Sequence, residues 1–317
     1  MHPEVSVIVT AYNRMEYLSQ ALESLLKQTE KKTTFEVVLI TNFEYDLSRF
    51  LELKIRHIMM EGNVGSYLER GIRESQGEII CYLDDDDIFD INKIKIIIKA
   101  FKEDINYFHN RAFKFTNNNK LKSLNSNILE PDSKFQSMYN ISQTKLNCRD
   151  NIEFNLSSIA IRKKILLPYL DYIKSLKQST DTLNWFIFLE TGGGVCRDER
   201  FLTYYRVHGS TSQKGRTGNN SLIKWYTEMV EFYENSQSKF RVPAIVELAK
   251  KRKSTFKGRL YLISNGNIKL STEDKSTLFK NAIFPSKCTS GATGLLLSYL
   301  SLRLKKFLGM GSAEGVQ

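Results

Sequence analysis

Asp84, Asp85, Asp86 and Asp87 stand consecutively in this chain. Like charges so close raise one another's pKa and oppose folding unless a cation sits among them. A hard divalent ion held by carboxylate oxygens, together with substrate phosphates, supplies such a charge. The acids follow the apolar run Glu78-Ile79-Ile80-Cys81-Tyr82-Leu83, which comes directly after Gln76-Gly77. Its length and its β-branched and aromatic content predict a buried strand. Open α/β sheets place ligands at such strand ends. The pattern therefore predicts metal-assisted chemistry on a phosphorylated substrate. The readings without chemistry are a solvated acidic turn, or acids capping a helix over residues 88–100.

Other segments must position these acids. Residues 5–9 read as a buried strand closing into the turn Thr10-Ala11-Tyr12-Asn13-Arg14. A helical stripe follows through Tyr17, Leu18, Ala21, Leu22, Leu25 and Leu26. Residues 35–40 predict a second strand ending at Thr41-Asn42, and residues 55–59 a third. Gly62-Asn63-Val64-Gly65 is a turn before a helix over residues 66–75. Strands alternating with helices predict an α/β fold with a mostly parallel sheet and helices on both faces. Its C-terminal edge is then the active side. No glycine-rich dinucleotide fingerprint follows the first strand, which argues against a dehydrogenase. Further on, a loop is expected at residues 116–120, strands at 156–161 and 201–207, and a helix at 182–189. From residue 222 the pattern is helical and basic.

The 317 residues suit one large domain and an appendage, and 41% apolar with 26% charged residues is ordinary for a globular chain. The net charge of +11 favours an anionic partner such as a membrane surface or an anionic substrate. Nucleic acid is not expected, because no zinc-finger, RNP-like or helix-turn-helix pattern is present. Cys81, Cys148, Cys196 and Cys288 are widely spaced, which fits a reducing cytoplasm better than a disulfide framework. No signal peptide and no run of about 20 apolar residues is evident. Residues 294–308 are leucine-rich and end basic, which suits a helix lying at an anionic membrane surface or a packing helix of the core.

These pieces in this order resemble a family 2 glycosyltransferase of the GT-A fold, over residues 5–212. The stretch from Val5 to Arg14 is similar to the family's opening strand and nucleotide-contacting turn. Asn63-Val64-Gly65, with the helix through Gly71-Ile72, resembles its glycine-containing loop under the diphosphate. Leu83-Asp84-Asp85-Asp86-Asp87 is similar to the metal-binding DxD element. Ser179-Thr180-Asp181, ahead of Trp185, resembles the catalytic acid pair. Tyr205-Arg206-Val207-His208-Gly209-Ser210 resembles a late tyrosine-arginine-valine-histidine element. Each motif is weak alone, and their shared order carries the resemblance.

The resemblance implies an inverting, hexosyltransferase-type enzyme that uses a nucleoside-diphosphate sugar, a hydroxyl acceptor (a glycan, free or lipid-linked) and Mn2+ or Mg2+. It assigns Asp86 and His208 to the metal and Asp181 to the base that accepts the acceptor's proton. Asp181 also suits the N-cap of its helix. Thr10, Ala11, Tyr12, Asn13, Asn42, Asn63, Asp84 and Asp85 fall to the nucleotide sugar, although Tyr12 also reads as a core tyrosine. The catalytic domain would cover residues 1–215, with a helical accessory segment over 216–317. Departures are present. Thr41-Asn42 stands where the family has two acids, Leu68 where it often has an arginine, and Thr180 where it has a glutamate. Arg70 or Arg73 is left to meet the diphosphate, and the acceptor side falls to residues 117–150. A sugar-phosphate nucleotidyltransferase is the rival enzyme, but its glycine-rich basic loop is not found. A non-catalytic sugar-nucleotide-binding protein is the rival of another class.

Overall fold

A computed structural model of the chain describes residues 2–102, 104–116, 136–140, 154–208, 218–283 and 292–307. Two compact units emerge, the first reaching His208 and the second holding the helices that follow.

In the first unit β1 (Val5–Ala11), β2 (Phe35–Thr41), β3 (Ile55–Met59) and β4 (Ile79–Asp84) are parallel, in the order β3-β2-β1-β4. Every residue of β2 is buried, and all of β1 except Thr10, the signature of parallel strands covered on both faces. The register sets Thr10 beside both Ile40 and Asp84. The turn after β1 and the acids after β4 therefore leave the sheet side by side. Helix α1 (Leu18–Leu26) contributes Leu18, Leu22 and Leu25 to the core that Val5, Val7, Val9 and Leu39 also form.

Beyond β4 the sheet is mixed. Strand β8 (Ile159–Arg162) pairs antiparallel with β4 and with β6 (Ile105–Phe115). Strand β9 (Gly194–Arg206) runs parallel to β6, and β5 (Ile88–Phe89) and β7 (Gln136–Asn140) pair antiparallel with β9. The α/β class holds, with the parallel part confined to the first strands and the β6–β9 pair. The strand expected at 201–207 is the end of 13-residue β9. Strand β6 escapes the sequence pattern because register shifts at 105/107, 110/111 and 111/112 break its alternation. The helix at 88–100 is corrected. Ile88 pairs with Tyr204 in β5, and α3 (Lys93–Ala100) begins only afterwards. The four acids thus do not cap a helix.

Helix α2 (Val64–Glu74) starts at Asn63, whose side chain accepts the Ser66 N–H at 2.8 Å. After α4 (Lys163–Leu166), helix α5 (Leu170–Ser175) lies against it. Gly65 N–H donates to Leu176 O at 3.1 Å, and a Cβ on Gly65 would fall 2.1 Å from Ile173 O. Only glycine admits that backbone. Helix α6 (Thr180–Thr191) starts earlier than the pattern indicates, with Ser179 at the N-cap position.

The second unit holds α7 (Asn219–Lys239), α8 (Pro243–Ile263), α9 (Thr272–Ile283) and α10 (Ala292–Phe307). Leu295 and Tyr299 of α10 pack with Leu270 and Leu278, whereas Leu297 is 64% and Leu300 51% exposed. The leucine-rich helix therefore serves its own core on one side and shows leucines on another. Among the described residues no helix is long and apolar enough to cross a membrane. Cys81 and Cys196 are buried free thiols, while Cys148 and Cys288 lie outside the described residues. So do Gly209, Ser210 and the segments 117–135 and 141–150, and with them all of the acceptor-side expectation for residues 117–150 except strand β7.

Substituting Gly65→Ala should lower unfolding free energy by about 1–3 kcal/mol, the usual cost of overpacking. The reading is the urea midpoint. An unchanged midpoint would show that α2 and α5 are not in such close contact.

Candidate active site

The acidic loop is held from several directions. Asp84 N–H donates to Ser157 Oγ at 3.0 Å, and Asp87 N–H to Asp84 O at 3.1 Å, which closes the turn. Arg206, at the end of β9, donates its N–H to Asp87 Oδ1 at 3.1 Å and its Nε–H to Asp86 O at 2.9 Å. The Arg206 guanidinium also lies over the rings of Tyr17 and Phe115 and donates to Gln20. Asp87 is buried, and among the described residues its Oδ2 meets no hydrogen-bond partner. Burial and the Asp86 charge push the Asp87 carboxyl above the usual carboxylate range. Asp84 is pushed well up too, by burial and then by the charges of Asp87, Asp86, Asp85 and Asp181.

The cation among the acids is Arg14, from the turn after β1. Its Nε donates to Asp85 Oδ2 at 2.8 Å and its Nη2 to Asp85 Oδ1. Nη2 also reaches Asp86 Oδ2 at 2.7 Å. Burial alone would lower the Arg14 pKa, but the bond to Asp85 and the charges of Asp85 and Asp86 raise it above its ordinary value. Burial outweighs Arg14 at Asp85 itself, whose carboxyl stays raised. His208 Nε2 lies 2.7 Å from Asp86 Oδ2 and 3.2 Å from Arg14 Nη1. The structure thus brings the two residues assigned to the metal into contact.

The residues expected to meet the nucleotide are shaped by a reciprocal amide pair. Asn13, at φ 52°, donates its N–H to Asn42 Oδ1 at 2.9 Å, and Asn42 Nδ2 donates to Asn13 Oδ1 at 2.6 Å. Asn42 therefore fixes the turn carrying Thr10 and Ala11. Tyr12 is 52% exposed and meets Tyr67 edge-on with centroids 6.0 Å apart, so it is not a core tyrosine. Asn63 caps α2. Arg70 and Arg73 form surface pairs with Glu74 and Glu69 of their own helix.

Asp181 stands in the first turn of α6, one residue beyond the start of the helix. It is not the N-cap, a position held by Ser179 at φ 63°; its Oδ1 accepts the Thr182 N–H at 2.8 Å. Tyr82 Oη donates to Asn184 Oδ1 at 2.9 Å, which ties α6 to the strand that ends in Asp84. The Asp181 charge is the smallest of those that push the Asp84 carboxyl up.

Comparison with known proteins fits this arrangement. The sequence matches the model of glycosyl transferase family 2 over residues 6–168. The chain belongs to that family. An uncharacterised glycosyltransferase of Rickettsia typhi is 27% identical over 238 residues, covering 70% of this chain and 69% of its own. Two further rickettsial glycosyltransferases are matched over only 17% and 34% of their own length. Among solved structures, S. aureus TarS 1-349 in complex with UDP-GlcNAc superposes with TM-score 0.55 at 16% identity, covering 96% of this chain and 92% of that one. The mannosyltransferase PcManGT from Pyrobaculum calidifontis, in complex with GDP-Man and Mn2+, gives 0.52 at 12% identity, covering 97% and 88%. At such identities the structures show the shared GT-A fold.

Within this family 2 chain, the described residues contain no group of three or more His, Cys, Asp or Glu placed to hold a metal. Asp86 and His208 still fit one. The Asp86 carboxylate is a donor type that suits Mn2+, and the His208 imidazole would supply a nitrogen beside it. The contacts of His208 point the same way. Nε2 bears either a proton or a lone pair, so it cannot both donate to Asp86 and accept from Arg14. A metal taking the lone pair would relieve that conflict. Arg14 and Arg206 are the functional residues that sequence reasoning left without a role. Both lay inside quoted motifs, and the demand for a cation among the acids was the available signal.

Lys93 supports the family 2 site from below and also went unnoticed. It is fully buried; its Nζ donates to Ser157 O and, at 2.8 Å, to Thr203 Oγ1, and lies 3.9 Å from the Phe89 ring centroid. It so ties α3, β5 and β9 to the turn whose Ser157 Oγ holds Asp84. Burial pulls its pKa from 10.5 down to about 7. From there to 10.5 the unfolded chain binds the extra proton, so stability should rise with pH across that window. Each pH unit is worth at most about 1.4 kcal/mol. In Lys93→Met this rise should shrink or vanish, read from urea unfolding at neutral and alkaline pH. Parallel pH profiles for variant and wild type would contradict the assignment.

Proposed function

We propose that this family 2 glycosyltransferase moves a sugar from a nucleoside-diphosphate donor to a hydroxyl acceptor with inversion, assisted by Mn2+ or Mg2+. One observation supports the reading above all: His208 Nε2 lies 2.7 Å from Asp86 Oδ2 beyond the end of β4, and the Tyr82–Asn184 hydrogen bond ties α6, which carries Asp181, to that same strand. The nucleotide sugars bound by TarS and PcManGT, and the Mn2+ of the latter, support it by analogy.

Thr10, Ala11, Tyr12 and Asn13 bind the nucleotide, the exposed Tyr12 ring offering a face to the base. Asn42 preserves the shape of that turn, and Asn63 presents the start of α2, whose N–H groups favour phosphate. Asp84 and Asp85 line the donor side. Asp86 and His208 hold the metal, which when bound neutralises charge on the departing diphosphate. Asp181 takes the acceptor's proton as its oxygen attacks the face opposite the leaving group. From an α-linked donor the product is β-linked. The likeness of Asp84, Asp85 and Asp86 to intact donor-site acids disfavours the non-catalytic reading.

Peripheral attachment to an anionic membrane, close to a lipid-linked acceptor, extends the proposal. The exposed Leu297 and Leu300, with a net charge of +11, support it.

Diphosphate release from a panel of UDP- and GDP-sugars with Mn2+ tests the activity. Asp181→Asn should cut turnover by about 10² to 10⁴ with donor binding nearly intact. Unchanged turnover would remove Asp181 from the chemistry. For the membrane, Leu297→Ser with Leu300→Ser should reduce co-sedimentation with anionic liposomes while circular dichroism stays the same. Equal co-sedimentation would dismiss α10 as an anchor.

A further inference from the structure

Arg14 touches the three side chains that meet at the acidic loop, and not all of its contacts can coexist with a bound metal. Its Nε and Nη2 grip both oxygens of Asp85, with Nε 2.8 Å from Oδ2. The Asp85 side chain is only 7% exposed, so this fork is enclosed. By contrast the Asp86 contact shares an Nη2 already used by Asp85, at 2.7 Å. Nη1 faces His208 Nε2 at 3.2 Å, where Nε2 also meets Asp86 at 2.7 Å. The Asp85 grip is firm, and the other two contacts compete with each other.

We propose that Arg14 is the internal counter-ion of the donor-free site, occupying the donor atoms that a metal would take and yielding Asp86 and His208 when metal and diphosphate enter together. The inference rests on the donor reading above. A guanidinium and a divalent cation repel at contact distance in a partly buried site, so they cannot share Asp86 Oδ2. The same planar fork that meets a carboxylate also meets a phosphate. With Nε and Nη2 kept on Asp85, Nη1 and the second hydrogen of Nη2 are left to meet a diphosphate oxygen once Asp86 and His208 turn to the metal. The metal alone then binds weakly, because it must displace Arg14 with nothing to receive the guanidinium. With a diphosphate present the displaced cation gains a partner. Binding of metal and nucleotide is thereby coupled, and the coupling is reciprocal.

The test is a Mn2+ titration of the full chain, followed by water-proton relaxation, without nucleotide and then with UDP or GDP. Arg14→Gln should bind Mn2+ alone roughly tenfold or more tightly than wild type, since the competing charge is gone. It should also gain less from added nucleotide than wild type does. Arg14→Lys keeps a positive charge but not the fork, so it should fall between the two, and it preserves the readout should loss of charge unfold the Gln variant. Asp86→Ala should show no such Mn2+ site in either condition.

Equal or weaker Mn2+ affinity in both Arg14 variants, with the nucleotide gain of wild type retained, would overturn the counter-ion role and leave the donor reading standing. Tighter Mn2+ binding by Arg14→Gln, where neither wild type nor variant gains from either nucleotide, would keep the counter-ion role but overturn its coupling to diphosphate and count against the donor reading. Absence of Mn2+ binding by every form in every condition would overturn both.

Discussion

Four carboxylates at the end of one strand have to be neutralised by groups their own segment lacks, and the first unit is arranged around that demand. Lys93, the first basic residue after the acids, points into the interior rather than at the loop's outer face. Arg14, about seventy residues earlier, pairs with Asp85 and Asp86, while Arg206 and His208, about one hundred and twenty later, contact Asp86 through its carbonyl and its carboxylate. Such pairing is possible only because β1 and β4 are neighbours in register and β9 ends beside the loop. The electrostatic problem and the sheet order are therefore one constraint seen at two scales. Burial makes it sharper, because Asp84, Asp85 and Asp87 all have raised pKa values.

The mixed half of the sheet serves the same end. A purely parallel continuation would carry every strand's tip to one edge but give no return path to the acids. Antiparallel β8 is entered through the turn at Ser157, so the hydroxyl that receives Asp84 N–H arrives just before the strand starts. Antiparallel pairing of β5 with β9 sets Ile88 against Tyr204 and brings Arg206 level with Asp87. Lys93 then locks the two together from inside. A buried amine is expensive to desolvate, yet its hydrogen bonds replace those of water at the point where several segments must hold one geometry.

Much of this was legible in the chain. Strands β1, β2 and β4 announce themselves because burial on both faces demands continuous apolar runs, and each polar tip marked the active edge. Helix α1 was legible from its apolar stripe, and α2 from the turn ahead of it, although α2 starts two residues earlier, at Val64. Strand β6 was not, since its bulges disturb the two-residue period that marks a strand. The first half of β9 was hidden for a related reason. Val195 and Cys196 are buried but are followed by Arg197, Asp198, Glu199 and Arg200, which read as a polar loop until Arg200 is seen paired with Asp198. Short β5 is defined by its partner rather than by its own two residues.

The sequence by itself determined the family resemblance, the run of four acids and the strand end that presents them. These depend on residue type and on local periodicity, which a linear reading contains. Tertiary structure alone decided which cation sits among the acids, that Asn42 is engaged with Asn13, and that Asp181 is not the cap of α6. It alone showed that Gly65 is required by the backbone of α5. Each of these turns on a distance between segments far apart in the chain. Such distances follow from sheet register and helix packing, for which no spacing along the sequence stands proxy.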